Sequence, residues 1–388
     1  MNALPSFTRQ LRLMDYIYHR IARLRYSARL PLFLLGWTVA LLTGCAAPRA
    51  AAPLQPLFFP PPPEPARFVF ERTLLGSGDL ELLDRNTRLR RMLTGESSTG
   101  TGFNKPFDVT VCQGKIFVSD SVRRSVMVFD VSAGRFFEIG ESEPGHLYKP
   151  LGLASDGACN VYVADATAKR VAVYDQAGQF LRAIGGTEWF ERLSHVAVNR
   201  EGTRVFAVDT GGVKSNSHRV RVFDAVSGQH LHDIGSRGTG AGQFNLPRDA
   251  EVGPDGLLYV IDGGNFRVES FQQDGTFVRS FGAVGRQFGQ FSRPKGIAID
   301  HDGNVYVSDS SHGNFQIFDP QGHLLLFIGD RSEKFERAKY MLPAGLAIDE
   351  DGRVYMVDQF FRKVDIYRPA RLAETEGFLG VWAQRQER

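Results

Sequence analysis

Residues 149–185 read KPLGLASDGACNVYVADATAKRVAVYDQAGQFLRAIG, and their punctuation decides the fold. Short runs rich in Val, Ala, Tyr and Leu are separated by Asp156-Gly157, by the loop after Asp165 and by Ala177-Gly178. Runs of that length between such pairs are strands joined by tight turns, so the stretch predicts a four-stranded antiparallel sheet. Residues 294–329 (PKGIAIDHDGNVYVSDSSHGNFQIFDPQGHLLLFIG) and 343–367 (PAGLAIDEDGRVYMVDQFFRKVDIY) repeat it almost element for element. The aspartate that closes the second strand marks each copy: Asp120, Asp165, Asp209, Asp262, Asp309 and Asp358, spaced 45, 44, 53, 47 and 49 residues apart. Copies of one supersecondary unit at such a period must stack to bury their faces, and four strands per unit make a propeller blade. The expectation is an all-β, six-bladed β-propeller of four-stranded antiparallel blades.

A ring must close, because an open edge strand invites pairing with other chains. The sixth copy supplies only three clear strands before Arg368-Pro369, while Arg67–Gly76 (RFVFERTLLG) reads as an isolated strand. Residues 67–75 are therefore expected to pair with the strand around 364–368. The connector Asp79–Met92 carries spaced leucines and suggests a short helix. The tail from Ala370 is open between a helix and a loop beneath blade 6.

The marker aspartates, together with the later Arg170-Val171, Arg219-Val220, Arg267-Val268 and Lys363-Val364 steps, resemble the NHL repeat family over roughly residues 66–369. Blades 1 and 5 depart from it, with Ser125-Val126 and Asn314-Phe315 at that step. The marker aspartates themselves are expected to accept backbone hydrogen bonds in the following loop, a structural role.

Ahead of the repeats, arginines at 20, 23, 25 and 29 precede the apolar run Leu30–Leu42, which at 13 residues is too short to span a bilayer. Leu42-Thr43-Gly44-Cys45 resembles the lipobox of bacterial lipoproteins, which implies cleavage after residue 44, a lipid on Cys45 and, with Ala46 following, transfer to the outer membrane. Residues 45–65 then form a proline-rich tether, with eight prolines between 48 and 65. The expected plan is a signal peptide (1–44), the lipidated tether (45–65), the propeller (66–369) and a tail (370–388), in a periplasm-facing or surface-exposed monomer. The first 44 residues carry six arginines and one aspartate, which leaves 40 basic against 42 acidic residues in the remainder. That balance gives no electrostatic footprint for nucleic acid.

In a propeller the first strand of each blade lines the channel. The position two after the repeat's proline reads Asp108, Gly152, His195, Asp249, Gly296 and Gly345, with His195 placed by alignment because blade 3 lacks the proline, a ring that is half glycine. Asp108, His195 and Asp249, with Arg248 and Lys295 beside them, suit a divalent cation or an anionic ligand; the alternative is carboxylates paired with local arginines and backbone amides, with His195 packed in the wall. His146, His195, His218 and His312 fall toward one mouth, and with Asp249 they form the metal-ligand set to test, for zinc or calcium. The peptide-amidating lyase, whose propeller is similar, holds zinc through histidines of several blades. The residue sets of lactonases and antibiotic-linearising lyases find no match here.

Residues 235–245 (GSRGTGAGQFN) lack the ending of a phosphate loop. The insertion Thr210–His218 is the first choice for a recognition loop. Cys112 and Cys159 lie in equivalent turns of adjacent blades, where an exported protein can form a disulfide or keep two buried thiols. Together these readings favour a lipid-anchored, non-enzymatic binding scaffold of the cell envelope without a cofactor. The alternative is a metal-dependent hydrolase or lyase.

Overall fold

In blade 2, the strands Pro150–Ser155, Val161–Asp165, Arg170–Tyr174 and Phe180–Ile184 pair antiparallel in that order. The second and third strands are buried on both faces, because each blade is sandwiched between two neighbours. The outermost strand alternates partly buried and exposed residues until Ile184, as expected of a half-solvated edge. This computed structural model describes residues 55–80 and 100–382; Cys45, the tether up to residue 54 and most of the 79–92 connector lie outside them. The described start of the connector, Ser77–Asp79, is a single 3-10 turn.

The other blades repeat the plan. Their innermost strands are Pro106–Cys112, Leu193–Val198, Pro247–Val252, Pro294–Ile299 and Pro343–Ile348. All six innermost strands touch their neighbours around a closed ring. Six apolar clusters hold the ring together, one at each blade interface among the described residues. Between blades 1 and 2, for example, Phe117, Val128, Leu147, Leu153 and Tyr174 interlock with little or no exposure. Each such side chain contributes roughly 1.5–3 kcal/mol by leaving water.

The predicted seam is present. Phe68–Leu74 pairs antiparallel with Lys363–Pro369, from Phe68 opposite Pro369 to Leu74 opposite Val364, and supplies the fourth strand of blade 6. Thr73 donates to Asp365 at 2.7 Å, and Asp365 in turn holds Lys363 Nζ at 2.7 Å. The last part of the proline-rich stretch joins this sheet: Phe58–Phe59 adds a fifth strand outside Phe68–Val69, and Phe59 stands edge-on to Tyr367. The tail enters a helical turn at 380–382, and it buries Leu379 and Trp382 between blades 1 and 6. Trp382 donates its indole N–H to the Asp79 carbonyl at 3.0 Å.

Cys112 and Cys159 are joined by a disulfide between blades 1 and 2, with Cα atoms 5.6 Å apart. Pro56–Arg388 is a compact unit whose ring is closed by its own strand Phe68–Leu74.

Candidate functional site

The marker aspartates build one mouth of the channel. Each has no exposed surface and accepts backbone N–H groups from the loop that leads into its blade's innermost strand. Asp120 takes the amides of Asn104 and Lys105, Asp165 those of Tyr148 and Lys149, and Asp309 those of Ser292 and Arg293. Several also accept amides from the loop that follows, such as Val122 and Arg123 on Asp120. One carboxylate thus staples two loops and fixes the residue just before each innermost strand. Burial raises the pKa of Asp209 and Asp262 despite these bonds.

Deeper in the channel, Asp108, His195 and Asp249 meet. His195 Nε2 lies 2.7 Å from Asp108 Oδ2, and Nδ1 lies 2.5 Å from Asp249 Oδ1. The carboxylates also reach the next blade: Asp108 Oδ2 accepts the Leu153 amide at 2.7 Å and Asp249 Oδ2 the Ile297 amide at 2.9 Å. Backbone amides are therefore partners as anticipated, whereas His195 stands where local arginines were expected. Burial opposes a charge on the ring, but Asp249 and then Asp108 outweigh it and hold the His195 pKa well above the ordinary imidazole range. Burial in turn raises the pKa of Asp249.

The glycine half of the ring makes this meeting possible. A Cβ at Gly152 would lie 2.4 Å from His195 Cγ, and one at Gly345 would lie 2.0 Å from Asp108 Oδ1. Three side chains occupy the axis because the other three blades present none there.

The triad divides the channel into two basins. The basin at the marker-aspartate mouth has a volume of about 450 Å³, with His195 and Asp249 at its floor. Six cations line it: Lys105, Lys149, Arg192, Arg248, Arg293 and Lys295. None of the six has an ion-pair partner among the described residues. Lys295 is pushed down to about 8 by burial and by repulsion from Arg248, Arg293 and Arg192. Burial with Arg192 and Arg293 lowers Arg248 as well. Glu191, the acid at this rim, is committed to the Gly212 amide and the Ser215 hydroxyl. The opposite basin, about 510 Å³, is lined by Glu201, Glu251, Glu350 and Asp300 with Arg200 and His301. Glu251, enclosed by the channel wall yet touching its solvent, is pushed up to about 8 by burial and by the charges of Asp249 and Asp108.

Of the residues singled out in the sequence, Asp108, His195 and Asp249 come together, and Arg248 and Lys295 line the mouth above them. The candidate metal-ligand set His146, His195, His218, His312 and Asp249 is not brought together among the described residues. His218 is fully buried and donates Nε2–H to the Gly212 carbonyl at 2.9 Å while Nδ1 accepts the Leu246 amide. His146 contacts the Glu141 carbonyl and stands against Tyr148. The His312 amide is tied to Asp309. No group of three or more such side chains poised to hold a metal ion occurs among the described residues. In the 210–218 insertion, Val213 is 71% exposed, and Arg237 pins the loop through the carbonyls of Val213 and Ser215.

Sequence reasoning missed Lys105, Lys149, Arg192 and Arg293. Their signal was present: the residue immediately before the innermost strand is basic in four of the six repeats. The marker aspartate of each of those repeats then fixes it at the mouth.

A model of the NHL repeat matches residues 291–318, in blade 5. Over 182 residues the chain is 26% identical to the protein brain tumor of Drosophila melanogaster, a match covering 46% of this chain and 16% of that much longer one. Among solved structures, a Bacteroides thetaiotaomicron protein of unknown function superposes with a TM-score of 0.56 at 16% identity, over 71% of this chain and 72% of that one. A gluconolactonase from Xanthomonas campestris gives a TM-score of 0.53 at 16% identity, covering 69% of this chain and 86% of that one. A streptogramin B lyase gives 0.52 at 13% identity, covering 68% and 93%. At such identities these likenesses concern architecture alone. The six four-stranded blades and the superpositions agree, and the chain is a six-bladed β-propeller that carries an NHL repeat at residues 291–318.

Proposed function

We propose that this propeller is a lipid-anchored, non-enzymatic binding module of the bacterial cell envelope that captures an anionic ligand in its cationic mouth. The observation that carries the reading is the set of six cations, without an ion-pair partner among the described residues, around a basin of about 450 Å³ closed below by Asp108, His195 and Asp249. Cations held this close repel one another, and an anion relieves that repulsion in a recess where water screens poorly. The floor favours binding over chemistry: its three titratable groups are committed to each other and to backbone amides. The attachment rests on Leu42-Thr43-Gly44-Cys45 and the proline-rich stretch behind it, with Ala46 favouring the outer membrane.

The test is thermal unfolding of the chain from Pro56 in the presence of sulfate and of citrate at constant ionic strength. A multivalent anion that binds only the folded state raises the melting temperature by mass action. The rise is expected in the native chain and should vanish in Arg248→Met/Lys295→Met; no rise in the native chain overturns the reading. For the anchor, Cys45→Ser should release the protein from the membrane fraction and abolish incorporation of labelled fatty acid.

A further inference from the structure

The mouth basin is chemically two-sided. Blades 3, 4 and 5 contribute Ser194, Thr210, Arg248, Arg293, Lys295 and Ser310 to it. On the opposite side of the ring, blades 6, 1 and 2 present Ala344, Phe107 and Leu151 where blades 3, 4 and 5 have Ser194, Arg248 and Lys295, with Leu342 beside them and the polar Ser121, Thr167 and Gln359 following the marker aspartates above. Lys105 and Lys149 stand exposed on the rim above this apolar half. A bare inorganic anion would satisfy the cations and leave the apolar wall wet. A neutral apolar molecule would cover the wall and leave Arg248 and Lys295, both half-buried, without a counter-charge.

We infer that the basin takes a small amphiphilic anion, its charged group between Arg248, Arg293 and Lys295 and its apolar body against Phe107, Leu151, Leu342 and Ala344. This rests on the anion-binding reading above and names the ligand class within it. The basin's volume of about 450 Å³ holds a short acyl or aryl acid and excludes a polymer as its whole content. Recesses of this size, apolar with a few convergent polar groups, are the usual form of small-molecule sites. The wall contributes affinity in proportion to the apolar area it covers.

Calorimetric titration of the chain from Pro56, with its disulfide formed, tests this using decanoate, acetate and decanol as probes. Decanoate is expected to bind at least about tenfold more tightly than acetate, since each buried methylene adds to the transfer free energy. Decanol should bind more weakly than decanoate. Lys295→Met should weaken decanoate by about ten- to a hundredfold, as removal of a charge-assisted contact does. Leu151→Ser should weaken decanoate and leave acetate unchanged. Equal affinity for decanoate and acetate would overturn the amphiphile while leaving the anion reading in place. No binding of either probe, with no stabilisation by sulfate or citrate, would remove both. Decanoate binding that survives Lys295→Met and Leu151→Ser, with melting temperatures showing both variants folded, would place the ligand elsewhere and overturn the inference.

Discussion

Arg353 and Glu71, 282 residues apart in the chain, form an ion pair with neither side chain exposed, Nε to Oε2 at 2.8 Å. Glu71 belongs to the closing strand Phe68–Leu74, and Arg353 immediately precedes the second strand of blade 6. Arg353 also holds Asp351 and the Glu376 carbonyl, so this one guanidinium ties the seam to the tail. Removing one partner of a buried pair strands the other charge, at a cost of roughly 3–5 kcal/mol. Arg353→Met is expected to lose about that much in urea unfolding, and Glu71→Gln distinctly less because it keeps an acceptor. Equal and small losses would mean that the seam does not depend on this contact.

The His195 bridge has a pH signature. Its raised pKa means that the charged ring contributes fully to stability below the ordinary value of 6.5, and that the contribution is lost as pH rises through the higher folded-state value. Nitrogen chemical shifts should show the ring still protonated at neutral pH. The stability of the native chain minus that of His195→Gln should decline with rising pH above about 6.5. A flat difference, or a neutral ring at pH 7, would rule out the charged bridge.

Gly152 is the site at which the triad is most easily disturbed without touching it. A methyl group there would have to occupy space 2.4 Å from His195 Cγ and 2.5 Å from its Cα. Gly152→Ala should cost about 1–3 kcal/mol, the range of overpacking in a tight interior. It should also shift the His195 titration. An unchanged melting temperature and titration curve would show that the ring has room to move.

The disulfide Cys112–Cys159 closes a loop over a separation of 47 residues and spans a single blade interface. Its removal is expected to cost roughly 2–4 kcal/mol. The check is the melting temperature of Cys112→Ser/Cys159→Ser beside that of the native chain. Mass spectrometry after alkylation without reductant should find both cysteines unmodified in the native protein.

Blade number, strand order and the seam were legible because they follow from local pattern: short apolar runs, a turn pair and a marker aspartate recur, and Arg67–Gly76 was left over where a strand was lacking. The ring of Asp108, His195 and Asp249 was also visible, as residue types at equivalent positions. Their direct contact was not, since it depends on the channel's width and on the angle between blades, neither of which is written in a repeat. The converse holds for His146, His218 and His312. They share a mouth by topology, but their rings are set by loop geometry, which sent His218 to the Gly212 carbonyl. Cation crowding at the mouth escaped notice because Lys105, Lys149, Arg192 and Arg293 are far apart in sequence, in a body of nearly balanced charge.

The strand that completes blade 6 leaves the ribosome before every strand of blades 1 to 5, and its partner is the last blade strand to follow. Phe68–Leu74 must wait until Lys363–Pro369 has been synthesised, and its apolar face has no permanent cover in the interval. A chain cut short anywhere in blade 6 would keep five complete blades and an unsealed edge, a ready target for proteolysis. Closure of the circle therefore acts as a test of completeness, passed only by chains that carry their final blade.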